Sequence, residues 1–231
     1  MVHSKLFIPL CVAASLGLAF ICHSAKAEGI ALGVTRVIYP QGEKQVSLPV
    51  INSSADNVFL IQSWVSDEQG QKSGDFIVTP PLFVMQAKKE NEIRIIHSGP
   101  ELKTDRESVY YLNVKAIPSV DPGKIKGNNL QIATQSVIKI FVRPKHLEMM
   151  PAEAPMKMIC KVSGNEINVS NPSPYYVTMI NFKVGEVKLP NTMIPPKSNK
   201  NLSFTRKGNG KTTFQAINDY GASTSVINCN N

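Results

Sequence analysis

The chain has 231 residues, 42% hydrophobic, 7% aromatic and 18% charged. The hydrophobic share excludes wholesale disorder, and 16 Pro with 14 Gly exclude a helical bundle in favour of a chain cut by turns. The formal net charge of +8 favours an acidic or carboxylate-bearing partner without naming one.

Residues 1–27 read as a secretory signal peptide. Lys5 supplies a basic start, Leu6 to Ile21 is apolar, and Ala25-Lys26-Ala27 is a small-x-small cleavage signal. The apolar run is too short for a transmembrane helix. The processed chain is expected to begin at Glu28 and to be soluble. Its first runs are strands: Ile30–Tyr39, Gln45–Ile51, Val58–Val65, Phe76–Thr79, Glu92–Ile96, Val109–Ile117 and Leu130–Val142. Turn residues separate them, among them Gln41-Gly42, Glu68-Gln69-Gly70, Ser98-Gly99-Pro100 and Asp121-Pro122-Gly123. About seven short strands in one series is the count of an immunoglobulin-like sandwich.

The proline-rich segment Pro144–Pro155 reads as a linker. A second series follows: Met156–Val162, Glu166–Val169, Tyr176–Phe182, Glu186–Leu189, Asn201–Phe204, Thr212–Ile217 and Ser223–Cys229. The fold class expected is therefore all-β, with two β-sandwich domains over residues 28–147 and 148–231. Cys160 and Cys229 form an even pair in an oxidising compartment, so a disulfide tying the ends of the second domain is expected. Two free thiols are the alternative; zinc lacks further Cys or His ligands nearby.

Motifs of catalysis are missing. His97 and His146 are far apart, and the chain has no H-E-x-x-H, G-x-S-x-G or phosphate loop. Basic pairs such as Lys88-Lys89 and Arg206-Lys207 do not interleave with aromatics as in nucleic-acid binders. Three Asn-x-Ser matches, at Asn52, Asn168 and Asn201, read as chance in an Asn- and Ser-rich chain. Binding without enzymatic activity, cofactor or metal is expected.

Leu130–Val142 is long for a strand, about 43 Å at the usual rise. Leu130, Ile132, Ile138 and Ile140 share one parity, diluted by Thr134 and Ser136. It reads either as a long core strand or as an edge that pairs with another protein's strand. Lys139 lies inside this run and Arg36 inside the first. A charge within an apolar strand is costly unless solvated or paired. Each side chain reaches solvent, or the two converge as a site for a carboxylate.

Several segments carry a resemblance: Gly33-Val34-Thr35-Arg36-Val37-Ile38-Tyr39, Phe76-Ile77-Val78-Thr79-Pro80-Pro81-Leu82-Phe83, Asp105-Arg106-Glu107-Ser108, Asn113-Val114-Lys115-Ala116-Ile117-Pro118, Ile138-Lys139-Ile140-Phe141-Val142-Arg143-Pro144, Asn171-Pro172-Ser173-Pro174-Tyr175-Tyr176 and Ile217-Asn218-Asp219-Tyr220-Gly221. In order and over the whole processed chain, they resemble the periplasmic pilus chaperones. The likeness is nearest to the type 1 fimbrial chaperone. The resemblance implies a boomerang of two immunoglobulin-like domains with a subunit site in the cleft. It implies that Arg36 and Lys139 hold a pilus subunit's terminal carboxylate. Leu130, Ile132 and Thr134 fall at the positions that lend side chains to a subunit lacking its seventh strand; Thr134 departs from the larger aliphatic usual there. Glu107, Arg143 and Asp219 match an interdomain salt-bridge set. Leu102-Lys103 departs from the usual Leu-Pro. The short Ser119–Asn129 connection resembles the short-loop branch, which serves rod-like pili. The implied partners are pilins, an adhesin subunit and an outer-membrane usher, with no nucleic acid and no stable membrane insertion, and self-pairing of the free protein stays open. The rival readings are a pilus subunit or surface adhesin, and a secreted enzyme or carbohydrate-binding module on a β-sandwich.

Overall fold

Alternation of apolar and polar residues builds the first sandwich, but Gly33 divides its opening strand between two sheets. In the computed structural model, which describes residues 28–119, 130–204 and 210–230, β1 (Ile30–Leu32) and β2 (Arg36–Pro40) replace the single expected run. The Gly33 amide donates to the Pro49 carbonyl at 2.9 Å. A Cβ at Gly33 would lie 2.4 Å from Pro49 Cγ, so only glycine allows this close approach. The signal peptide, the Asp121-Pro122-Gly123 turn, the Arg206-Lys207 pair and most of the short connection lie outside the described residues.

One sheet has the order β1, β3 (Val46–Asn52), β7 (Glu90–His97), β5 (Phe76–Thr79). The facing sheet runs β2, β9 (Thr134–Arg143), β8 (Ser108–Pro118), β4 (Phe59–Ser66), β6 (Leu82–Met85). Strand β2 pairs with β9 in parallel, and β8 pairs with β9 antiparallel. Between the sheets, Tyr39, Leu48, Val50, Ile61, Ile93, Ile95, Leu112 and Ile140 are almost fully buried. Each such aliphatic side chain contributes roughly 1.5–3 kcal/mol.

The second sandwich has its own core, which includes Met158, Ile167, Val169, Met179, Phe182, Ile194 and Phe214. Its sheets are β10 (Ile159–Ser163), β11 (Glu166–Asn171), β15 (Ser198–Ser203), and β13 (Val187–Lys188), β12 (Val177–Val184), β16 (Thr212–Ala216), β17 (Ile227–Asn228), with β14 (Thr192–Ile194) on β12. The proline-rich segment is more than a linker. Leu147 and Met149 pack on the second core, and Pro151–Lys157 forms a 3-10 helix.

Cys160 and Cys229 are disulfide-bonded across 69 residues of sequence, with Cys229 just beyond β17. A closed loop of this length removes about 4 kcal/mol of unfolded-state entropy in the chain-entropy model. Reduction is expected to lower the denaturation midpoint of the second sandwich and leave the first unchanged. Near-UV dichroism with and without dithiothreitol checks this, with Trp64 of the first sandwich as internal reporter.

Candidate functional site

The parallel register of β2 and β9 sets Arg36 directly beside Lys139. Both lie on the outer face of their sheet, because Val37, Tyr39 and Ile140 point into the core. Like charges directly opposite destabilise a sheet. Among the described residues, no carboxylate lies within ion-pair distance of either cation. Arg36 Nη1 donates to the Ile217 carbonyl of the second sandwich at 3.3 Å. Its Nε is buried without a partner among the described residues, and the guanidinium sits 5.7 Å from the centre of the Phe141 ring. Burial lowers the Arg36 pKa, opposed by Asp219 and Glu107. Burial and the neighbouring Arg36 both lower that of Lys139. A planar anion placed here meets one fork of donors and one point charge, both already partly desolvated.

Strand β9 departs from the expected run at its start. Leu130 and Ile132 precede the strand, which begins at Thr134. The cause lies in the partner strand: the ladder ends at the Ala116–Thr134 pair, two residues before β8 stops at Pro118. Proline offers no amide to extend it. Gln131 bonds the Pro118 carbonyl through its side chain instead. Leu130 is 87% and Ile132 65% exposed, and Thr134 is exposed as well. On the opposite edge, β2 covers only Lys139–Arg143. Among the described residues, Thr134–Ile138 therefore keep an unpaired edge that ends at the two cations.

Behind the cations a third group joins the sandwiches. Glu107, next to β8, and Arg143, at the end of β9, form an ion pair at 2.7 Å. Arg143 also grips Asp219 with two bonds, at 2.7 and 2.8 Å. Glu107 accepts the Tyr176 amide at 2.8 Å and donates its own amide to the Pro174 carbonyl. The Arg143 guanidinium lies 5.1 Å from the centre of the Tyr175 ring. Burial pushes the Glu107 carboxyl up, against the pull of Arg143. Burial alone would lower Arg143, but its bonds to Asp219 and Glu107 outweigh this and push it up. Sequence reasoning missed two further struts: Tyr176 Oη to Glu68 at 2.8 Å, and Lys197 to Asp105 at 3.4 Å. It also missed the Ile217 carbonyl, which no side chain signals.

Comparison with known proteins agrees along the chain. Residues 29–148 match the family model of the N-terminal domain of the PapD pili and flagellar-assembly chaperones. Residues 153–227 match the C-terminal domain of the PapD pili-assembly chaperones. The probable fimbrial chaperone SfmC of Escherichia coli K12 is 48% identical over 205 residues, covering 88% of this chain and 89% of that one. The crystal structure of the periplasmic chaperone SfaE superposes with TM-score 0.78 at 42% identity, over 88% of this chain and all of that one. The SafB chaperone of Salmonella enterica, solved in complex with the SafA pilin, superposes with TM-score 0.78 at 28% identity, over 89% of this chain and 97% of that one.

Proposed function

From the premise that the chain belongs to the pilus-assembly chaperone family, we propose that it captures a pilus subunit in the periplasm by strand donation and hands it to an outer-membrane usher. A chaperone role in pilus assembly follows from the family and removes the adhesin and enzyme readings. No described helix is long and apolar enough to cross a membrane. The observation that carries the finer reading is the pair Arg36 and Lys139, without a counter-ion among the described residues, at the end of an open strand edge.

The register supports the following mode of binding. The subunit's terminal carboxylate bonds Arg36 and Lys139. Its last strand then lies along Leu130–Ile138 and ends where β2 begins. That strand runs parallel to β9, in line with β2, and its amides and carbonyls satisfy the open edge. Leu130 and Ile132 enter the subunit's apolar groove. Thr134 presents a small polar group at the third position. Glu107, Arg143 and Asp219 hold the domain angle and take no part in anchoring the subunit's carboxylate. The domain boundary falls at 147/148. Release follows from exchange with the next subunit's N-terminal strand at the usher, without a nucleotide. The free protein can shield the same edge by pairing with a second copy.

Leu130→Ala and Ile132→Ala test the donor strand. Each is expected to weaken subunit binding by about 1.5–3 kcal/mol. Because both side chains are exposed, stability should stay within about 0.5 kcal/mol of the parent. Titration calorimetry on the subunit and urea denaturation on the free chaperone separate the two quantities. Unchanged binding in both variants overturns the donor role.

A further inference from the structure

The loop after β16 presents an exposed aromatic on a rigid mount. Asn218 Oδ1 accepts the amides of Tyr220 and Ala222 at 3.1 and 2.9 Å. The main chain closes twice more, Gly221 to Asn218 and Asn218 to Ala222. Gly221 has φ +84°, and a Cβ there would lie 2.1 Å from Thr35 Oγ1 of the first sandwich. Asp219 is pinned by Arg143 through two bonds. Tyr220, between these fixed points, is nonetheless 92% exposed. A loop held this firmly presents its ring with little further ordering to lose on binding.

The ring stands at the rim of a cavity of about 270 Å³ whose wall joins Phe141, Pro151, Pro155 and Tyr175 to Arg36 and to the Glu107–Arg143–Asp219 set, whose charges are already paired with one another. An engineered apolar cavity of about 150 Å³ holds benzene, so an aromatic side chain fits. The cavity shares Arg36 with the carboxylate site. A chain end bonded to Arg36 places its last side chain at this opening.

We infer that Tyr220 and the cavity behind it form a subsite for the last side chain of the bound subunit, selective for a large apolar or aromatic residue. This rests on the carboxylate anchor proposed above. Exposed aromatics beside a concave, partly apolar surface are where interfaces concentrate their energy.

The test uses the full processed chaperone and synthetic peptides of a fimbrial subunit's C-terminal strand from the source organism. The peptides end in alanine, aspartate or phenylalanine, with a fourth ending in phenylalanine amide. Fluorescence anisotropy should show the phenylalanine peptide binding at least about tenfold tighter than the alanine and aspartate peptides. Tyr220→Ala, and Ala152→Trp in the cavity wall, should each bring that preference below about twofold. Equal binding of the phenylalanine and alanine peptides by the parent overturns the subsite, as does a preference that survives both variants. The amide separates the two ideas. Its loss of binding keeps the anchor whatever the subsite does; undiminished binding of the amide, or no binding of any peptide, overturns the anchor and the subsite with it.

Discussion

Replacing Arg143 by alanine is expected to destabilise the free protein by about 3–5 kcal/mol and to release the angle between its domains. The reason is Glu107, whose side chain is 2% accessible. With Arg143 gone, that carboxylate keeps, among the described residues, only the Tyr176 amide and remains a desolvated charge without its ion partner. Asp219 differs, since its side chain is 35% accessible and water can reach it. Asp219→Asn should therefore cost much less than Arg143→Ala. Arg143→Lys should resemble the alanine variant more than the parent, because one ammonium cannot serve Glu107 and both oxygens of Asp219. Urea denaturation gives the stabilities, and small-angle scattering gives the spread of domain angles. An Arg143→Ala protein of parental stability and dimensions would contradict the lock.

Arg36→Ala and Lys139→Ala are each expected to weaken subunit capture by about 2–5 kcal/mol, more than the loss of either donor aliphatic. Removing one cation leaves a carboxylate in the cleft with half its partners. The same two residues are a burden to the free protein. Burial and Arg36 hold Lys139 below the ordinary lysine value. The sign follows: the charged form is disfavoured on folding, so Lys139 penalises the fold at neutral pH, and the penalty fades as pH rises through its lowered folded-state value. Lys139→Met should therefore make the free chaperone more stable at neutral pH while weakening capture as much as Lys139→Ala does. A bound carboxylate reverses the balance and raises Lys139. Capture should be flat in pH below the lowered value and weaken above it. The methionine variant should show neither the affinity nor this dependence. Binding and denaturation measured over the same alkaline range check both signs.

The strand pattern was largely legible because alternation reports which face is buried. Where it failed, another part of the chain decided the outcome. Ile30–Tyr39 reads as one strand, since nothing within it says that Gly33 must clear Pro49, a residue in β3. Leu130–Val142 reads as one strand, since its early end is set by Pro118 in β8. The charges of the site were legible as anomalies, an Arg and a Lys inside apolar runs. Their adjacency was not, because it depends on a parallel pairing across about a hundred residues of sequence. Composition and spacing alone left solvated side chains and a carboxylate site as rivals; the family motifs around Arg36 and Lys139 favour the second. Tyr220 lay inside a recognised motif, but its exposure is a property of the loop's hydrogen bonds and of the domain opposite. The Ile217 carbonyl is main chain and carries no residue signal at all.

The most direct test is co-expression of the chaperone in a periplasm with the fimbrial subunits of its source organism, followed by native mass spectrometry of the purified species. The parent is expected to appear as a one-to-one complex with a subunit, and Arg36→Ala and Lys139→Ala as free chaperone. A complex that persists in both variants would contradict the carboxylate anchor, and a parent that retains no subunit would contradict capture itself.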